Sequence, residues 1–457
     1  MLSIMSFQEL FQKQQAFFNS QKTLKIQFRK DRLKALKTAV KSNENRLYEA
    51  VYADFGKSEF DTYATEISFI YNEINYFLRN LSELAQPENT ATNLVNLPGK
   101  SKIYYEPYGN TLVIGAWNYP YQLSLVPLIS TIAAGNTVIL KPSEIAPNSA
   151  QAMKELISEV FDEEFCTVVT GGVEEATELL KLKFGKIFFT GSPAVGKIVY
   201  KAAAENLVPV TLELGGKSPA IVCRSAKIDI AAKRIVWGKF LNAGQTCIAP
   251  DYVLVEEEIK GKLLSKIKEL IEKFNYTENS TSYTRIVNDA HFQRIVSLIN
   301  PEKIYYGGNY NKEKRHIQPT VLTDVLLSEP VMQQEIFGPV LPVISFKNLD
   351  EAFKTIRNFE KPLAAYLFSN DSDEKNKFTE KLSFGGGCIN DTLMHITNEN
   401  LPFGGVGNSG LGSYHGKYGF ESFSHKKSVM ERTNWGEPNL KYPPYNDTKK
   451  KIIDKLL

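Results

Sequence analysis

Lys186-Ile187-Phe188-Phe189-Thr190-Gly191-Ser192-Pro193-Ala194-Val195-Gly196-Lys197-Ile198 reads as an apolar strand, a glycine turn and the start of a helix. It nearly matches a phosphate-cradling loop of the magnesium–nucleotide type. Two residues break that match. Ile198 stands where a Ser or Thr hydroxyl is needed for magnesium. Pro193 removes one backbone donor from the cradle. What survives is the strand–turn–helix geometry, whose helix N-terminus can bind a diphosphate without metal.

The same alternation extends both ways. Strands are expected at Thr111–Ala116, Thr137–Lys141, Cys166–Thr170, Lys186–Thr190 and Val208–Leu214, with helices near Leu123–Ala134, Ser149–Val160, Val173–Leu180 and Ala194–Ala204. Alternating strands and helices imply parallel strands with right-handed crossovers, hence an open doubly wound sheet. Such sheets bind ligands outside the carboxyl ends of their strands. A second block places strands near Ala220–Cys223, Tyr252–Glu256, Val340–Ser345, Ala364–Phe368 and Gly387–Asn390. Residues 6–84 read as helices, and the polar segment Gln86–Lys102 as an arm or linker.

A length of 457 residues allows two or three domains with a large core. Hydrophobic content of 43% and charged content of 23% are those of an ordinary globular chain. A net charge of +3 over this length argues against a nucleic-acid partner. Four cysteines make no disulfide framework, which points to a reducing compartment. The N-terminus lacks the pattern of a signal peptide, and no run reaches the ~18–20 apolar residues that span a bilayer. The basic tail Lys449–Leu457 reads as a solvated terminus, not a membrane anchor. These features lead us to expect a cytoplasmic protein.

Asn242-Ala243-Gly244-Gln245-Thr246-Cys247 sets a thiol in a polar, glycine-containing segment directly after a helical run. A cysteine at such a junction can be held as thiolate and aimed at an electrophile. Glu213, alone within Thr211-Leu212-Glu213-Leu214, should be desolvated and its pKa raised toward the range of a general base. Asn118 follows the first strand of the sheet and is either an oxyanion donor or a plain turn former. Lys141 and Glu144 end another strand, either as ribose ligands or as a solvated pair. Glu335 and Phe337 either meet a sugar and a ring or form a turn with one buried Phe. Gly405-Val406-Gly407-Asn408-Ser409-Gly410 has the form of a dinucleotide fingerprint, but no apolar strand precedes it; a tight loop near the substrate region is expected. The other cysteines and the five histidines lack metal-ligand spacing, so no metal site is expected.

Together these segments resemble the aldehyde dehydrogenase superfamily, with wording closest to its class 3 (fatty and aromatic aldehyde) branch. The matching segments are Gly115–Pro120, Ala134–Glu144, Phe188–Lys197, Leu212–Pro219, Asn242–Tyr252, Gln334–Pro339, Leu401–Gly410 and Gly412–Lys417. The resemblance spans about Tyr105 to Lys426. It implies two doubly wound α/β domains plus a small β bridging and oligomerisation arm. The cofactor-binding domain would comprise residues 1–85 and 106–213, and the catalytic domain 214–413. Residues 86–105 and 414–440 would bridge subunits, and 441–457 would form a tail.

By the same resemblance Cys247 is the nucleophile, Glu213 the general base, and Asn118 with the Cys247 amide the oxyanion hole. Thr190, Gly191, Ser192, Pro193, Ala194, Val195 and Gly196 take the cofactor diphosphate. Lys141 and Glu144 hold the adenosine ribose and Glu335 the nicotinamide ribose; Phe337 lines the ring, and Trp117 also binds the cofactor. The implied reaction oxidises an aldehyde to its acid through a thiohemiacetal and a thioester on Cys247. Tyr119, Thr246, His395, Ile396 and His415 are candidates for the substrate entrance; their apolar and aromatic mixture favours medium-chain aliphatic or aromatic aldehydes. Glu144 would repel a 2′-phosphate and so favours NAD, while the branch's use of NADP keeps both open. A homodimer is implied. A redox-free thiol hydrolase or a non-catalytic binding protein would leave Lys141, Glu144 and Glu335, or the nucleophile and base, without a task.

Overall fold

The computed structural model describes residues 6–437 and 439–456. The first five residues of the expected N-terminal part, Pro438 of the expected bridging segment and Leu457 of the tail lie outside them. The chain opens with helices at Phe7–Asn19, Ile26–Ser42, Glu44–Phe55 and Ser68–Leu84. Ser6 and Glu9 close a reciprocal capping box at the first of these. Each helix turns an apolar stripe inward, for example Leu33, Leu36 and Val40, or Ile70, Ile74, Phe77 and Leu81.

The first sheet holds five parallel strands in the spatial order Val210–Glu213, Lys186–Thr190, Asn110–Ile114, Thr137–Lys141 and Cys166–Val168. All five residues of Asn110–Ile114, Thr137–Lys141 and Lys186–Thr190 are buried. These strands therefore read as unbroken apolar runs and not as alternating ones. Strand order reverses between Asn110–Ile114 and Lys186–Thr190. The loops after Ile114 and Thr190 thus flank the crevice where such sheets hold ligands. Behind them the helix Gln122–Ala134 is buried along its whole length despite Pro127.

The second sheet has seven strands, in the order Ile304–Tyr306, Thr320–Thr323, Val340–Phe346, Tyr252–Glu256, Pro219–Val222, Ala364–Phe368 and Gly386–Ile389. All its pairs are parallel except that of the short edge strand Ile304–Tyr306. The sequence reading missed that edge strand, Thr320–Thr323 and the helix Asp289–Val296. Their runs are too short for a period to emerge. A third, antiparallel sheet joins Glu88–Thr90, Gly99–Pro107 and Ser424–Arg432 into the small β arm. Gly410–Leu411, at the end of the expected tight loop, forms a short strand that pairs with Leu212 and Glu213 on the edge of the first sheet.

Candidate active site

The helix Ile228–Phe240 delivers the thiol loop, and that loop is backbone-strained. Asn242 (φ 54°), Ala243 (φ 52°) and Gly244 (φ 74°) form a left-handed run. Such a conformation costs about 1–2 kcal/mol for each non-glycine residue. Gly244 also backs onto the 335–338 loop, where a Cβ would stand 2.3 Å from the Gly338 carbonyl oxygen. Buried Gln245 holds the run. Its Nε2 donates to the Asn242 carbonyl (3.1 Å) and the Arg285 carbonyl (3.2 Å), and its Oε1 accepts from Val287 N (3.0 Å). Strain of this kind gathers at functional loops when surrounding bonds over-determine it.

Asn118 leaves the first sheet just after the strand Asn110–Ile114 and meets this loop. Its Nδ2 donates to the Gln245 carbonyl at 3.0 Å. A primary amide carries two N–H donors. One N–H thus fixes the side chain and leaves the second for an incoming oxygen. In return Asn242 Nδ2 donates to the Asn118 carbonyl at 3.0 Å. Next door the Tyr119 and Thr246 hydroxyls share a 2.6 Å hydrogen bond. Four residues expected at one site, Asn118, Tyr119, Thr246 and Cys247, are therefore brought together. Asn242 and Gln245 were quoted in the sequence without roles and prove to be the struts.

Glu213 ends its strand with 2% of its surface exposed, and neither carboxylate oxygen has a hydrogen-bond partner. Burial alone raises its pKa well above the usual carboxylate range, as a lone carboxylate in an apolar strand requires. Cys247 is half-buried. Burial pushes its thiol up to about 12, the negative charges of Glu335 and Glu213 push the same way, and the Cys247 and Ile248 amides oppose them. In this surrounding the neutral thiol is favoured.

The cofactor candidates sit at strand ends of the first sheet and on the 335–337 loop. Ser192 caps the helix Pro193–Glu205, accepting from Val195 N at 3.4 Å. Thr190 is 8% exposed, and its hydroxyl lacks a partner at the strand end. Ser192, Ala194 and Val195 are exposed around the helix N-terminus. Lys141 is buried at the end of its strand; its Nζ donates to the Pro142 carbonyl (2.9 Å) and lies 3.6 Å from the half-exposed Glu144 carboxylate. Glu335 is pushed up to about 8, first by burial and then by Asp251. Its loop is pinned by Arg294 to the Ile336 carbonyl (2.7 Å) and by Ile336 N to Asp251 (3.0 Å). Phe337 packs edge-on against Trp117 at 5.4 Å. An uncapped hydroxyl, a helix N-terminus and strand-end polar groups fit a dinucleotide diphosphate and its two riboses.

The remaining substrate candidates form an aromatic cluster. His395 and His415 lie on Phe403 at 6.0 and 5.5 Å, and Tyr414 packs on His415 at 4.4 Å. His415 is 4% exposed, so it shapes a wall and does not offer its ring to solvent. Burial lowers His395 to about 4 and His415 to about 3, so both are neutral near pH 7. His395 Nδ1 lies 3.6 Å from the Cys388 sulfur. Ile396 is partly buried against the same core. Tyr366 links the cluster to the thiol loop, donating to the Ile248 carbonyl at 2.6 Å. Among the described residues no group of three or more metal-ligating side chains converges.

Residues 5–429 match the model of the Aldehyde dehydrogenase family. The chain is 48% identical over 443 residues to the 4,4'-diaponeurosporen-aldehyde dehydrogenase of Staphylococcus aureus, covering 96% of each. It is 46% identical over 437 residues to mouse (Mus musculus) Aldehyde dehydrogenase family 3 member A2, covering 94% of this chain and 90% of that protein. The substrate-bound structure of Staphylococcus aureus AldH superposes with a TM-score of 0.96 at 47% identity, over 99% of this chain and 100% of that one.

Proposed function

Because the chain belongs to the aldehyde dehydrogenase family and is an NAD(P)-dependent enzyme oxidising aldehydes to acids, we propose that Cys247 is its nucleophile, Glu213 its hydrolytic base and Asn118 its oxyanion donor. The Cys247 thiol gives its proton to water, and the sulfur adds to the aldehyde carbon and converts the carbonyl oxygen to an oxyanion. The second N–H of Asn118 and the Cys247 amide receive that oxyanion; losing one such donor typically costs about 10²–10³ in rate. Bound nicotinamide supplies the acceptor for the hydride. Glu213 then takes a proton from water, whose oxygen attacks the Cys247 thioester; the acid leaves and the sulfur is regenerated. The raised proton affinity of Glu213, caused by its burial, strengthens it as a proton acceptor.

The observation that carries this reading is the hydrogen bond from Asn118 Nδ2 to Gln245 O, which joins the crevice loop to the thiol loop. Thr190–Gly196 would hold the diphosphate, with Trp117 and Phe337 beside the nicotinamide. Lys141 and Glu144 would hold one ribose and Glu335 the other. Tyr119, Thr246, His395, Ile396 and His415 would bound a channel for medium-chain aliphatic or aromatic aldehydes, since none carries a charge near pH 7. We further propose a cytoplasmic homodimer assembled through the antiparallel arm. No helix among the described residues is long and apolar enough to cross a membrane.

The test is an aldehyde panel run with NAD and with NADP, read as growth of reduced nicotinamide. Cys247→Ala should abolish the signal and keep cofactor binding; retained turnover would overturn the assignment. The half-exposed Glu144 should set cofactor choice through like-charge repulsion. Glu144→Gln should then lower the KM for NADP by roughly tenfold relative to that for NAD, about 1.4 kcal/mol; an unchanged ratio would remove Glu144 from that role.

A further inference from the structure

The turn carrying Asn118 is gripped from behind by a buried ion pair. Lys57 and Glu66 are 1% and 0% exposed, with Nζ and Oε1 2.7 Å apart. Lys57 Nζ also reaches the Asn118 carbonyl at 3.3 Å and sits 4.2 Å from the centre of the Tyr119 ring. The second oxygen of Glu66 accepts from Tyr121 N at 2.8 Å and, more weakly, from Gln122 N at 3.4 Å. The pair thus holds both ends of Asn118-Tyr119-Pro120-Tyr121.

Local structure is adapted to this contact. Lys57 follows Gly56, which ends the helix Glu44–Phe55 in the left-handed conformation. Glu66 sits in a single π-helical turn, Tyr63–Ile67, within an otherwise α-helical stretch. Such turns are rare and often accompany functional sites. Burying two charges is expensive, and a hydrophobic pair of the same volume would often serve stability as well or better. The pair here gives directed contacts that an apolar pair cannot: one to a carbonyl and one to an amide of the turn.

We propose that Lys57 and Glu66 are positioning residues for the aldehyde reaction, fixing the Asn118 turn so that its free N–H meets the developing oxyanion. This rests on the role given to Asn118 above. Asn242 Nδ2 donates to the same Asn118 carbonyl that Lys57 reaches, and Asn118 Nδ2 donates to the Gln245 carbonyl, so Asn118 is held by contacts from the N-terminal helices and from the thiol loop together. Misplacement of a reacting group by about 1 Å can cost about 10² in rate.

The test uses the full-length enzyme. Lys57→Met alone strands the Glu66 charge, so the informative variant is Lys57→Met with Glu66→Gln. It removes both charges and keeps an acceptor for Tyr121 N. Three quantities are read: the single-turnover rate of reduced-nicotinamide formation, cofactor Kd, and alkylation of Cys247 by iodoacetamide. We expect the rate to fall by roughly tenfold or more, short of the ~10²–10³ of a lost oxyanion donor, with Kd and alkylation within twofold of the parent. A rate within twofold of the parent would overturn the proposal. So would equal losses in all three readouts, which would mark a general structural role. Should the double variant not fold, Lys57→Gln with Glu66→Gln, which keeps polar groups at both positions without a stranded charge, is measured against the same criteria. Asn118→Ala runs in parallel: a large loss there beside an unaffected double variant rejects this inference only, whereas an unaffected Asn118→Ala rejects the oxyanion assignment and this inference with it.

Discussion

Gly410 lies directly opposite Glu213 in an antiparallel pair at the edge of the first sheet. Beside it Leu214 N donates to the Ser409 carbonyl at 3.1 Å. The loop that imitates a dinucleotide fingerprint therefore buttresses the strand end bearing the candidate base. Gly410 adopts φ +155°, and a Cβ there would stand 2.4 Å from the Leu212 carbonyl oxygen. Gly410→Ala should lower stability by about 1–3 kcal/mol and slow hydrolysis more than hydride transfer. Denaturant midpoints with single-turnover and steady-state rates check this; an unchanged midpoint and steady-state rate would contradict it.

The thiol gives a pH prediction whose sign is fixed. Its pKa is pushed up to about 12, so the protonated form dominates across neutral pH. Without cofactor, alkylation of Cys247 by iodoacetamide should rise about tenfold per pH unit between pH 7 and 9, following the thiolate fraction. Mass spectrometry of the labelled peptide measures it. A plateau near neutral pH would mean that the protein's own groups already ionise the sulfur.

Glu73 offers a stability test away from the chemistry. It is 3% exposed and accepts from Ser130 Oγ (3.1 Å) and Gly416 N (3.0 Å). Burial pushes its carboxyl up to about 7 against the ordinary 4.5. Below both values it is protonated in the folded and unfolded chains alike. Between them the unfolded chain loses its proton first, so stability falls as pH rises through that window. Glu73→Gln should therefore match the parent near pH 4 and exceed it at pH 8, by on the order of 3 kcal/mol. Parallel thermal or urea melts at the two pH values decide it; equal stability at pH 8 would contradict the buried-charge account.

The fold was readable because its strands announce themselves. Buried runs such as Thr137–Lys141, Lys186–Thr190 and Tyr252–Glu256 are continuous, and helices such as Lys260–Phe274 and Leu349–Arg357 bury residues at a clear helical period. Ser424–Arg432 did not stand out, because its residues beyond Ser424 are mostly exposed and it is held by pairing with Gly99–Pro107 over 300 residues away. At the site, residue type was informative and environment was not. Cys247, Glu213 and Asn118 could be picked out as chemistry-bearing groups. The left-handed run at Asn242–Gly244, the Gln245 strut and the Lys57–Glu66 pair depend on contacts across 40 to 127 residues that no local pattern encodes. The proton affinity of the sulfur is likewise set by burial and by two carboxylates from distant segments, which outweigh the local amides.

Trapping the covalent intermediate tests the central claim most directly. Glu213→Gln keeps the size of the side chain but cannot take a proton from water. Mixed with an aldehyde and NAD, this variant should form reduced nicotinamide in about one equivalent and retain the acyl group on the peptide containing Cys247, seen by mass spectrometry. An acyl group on another residue, or full turnover with no retained adduct, would contradict the account.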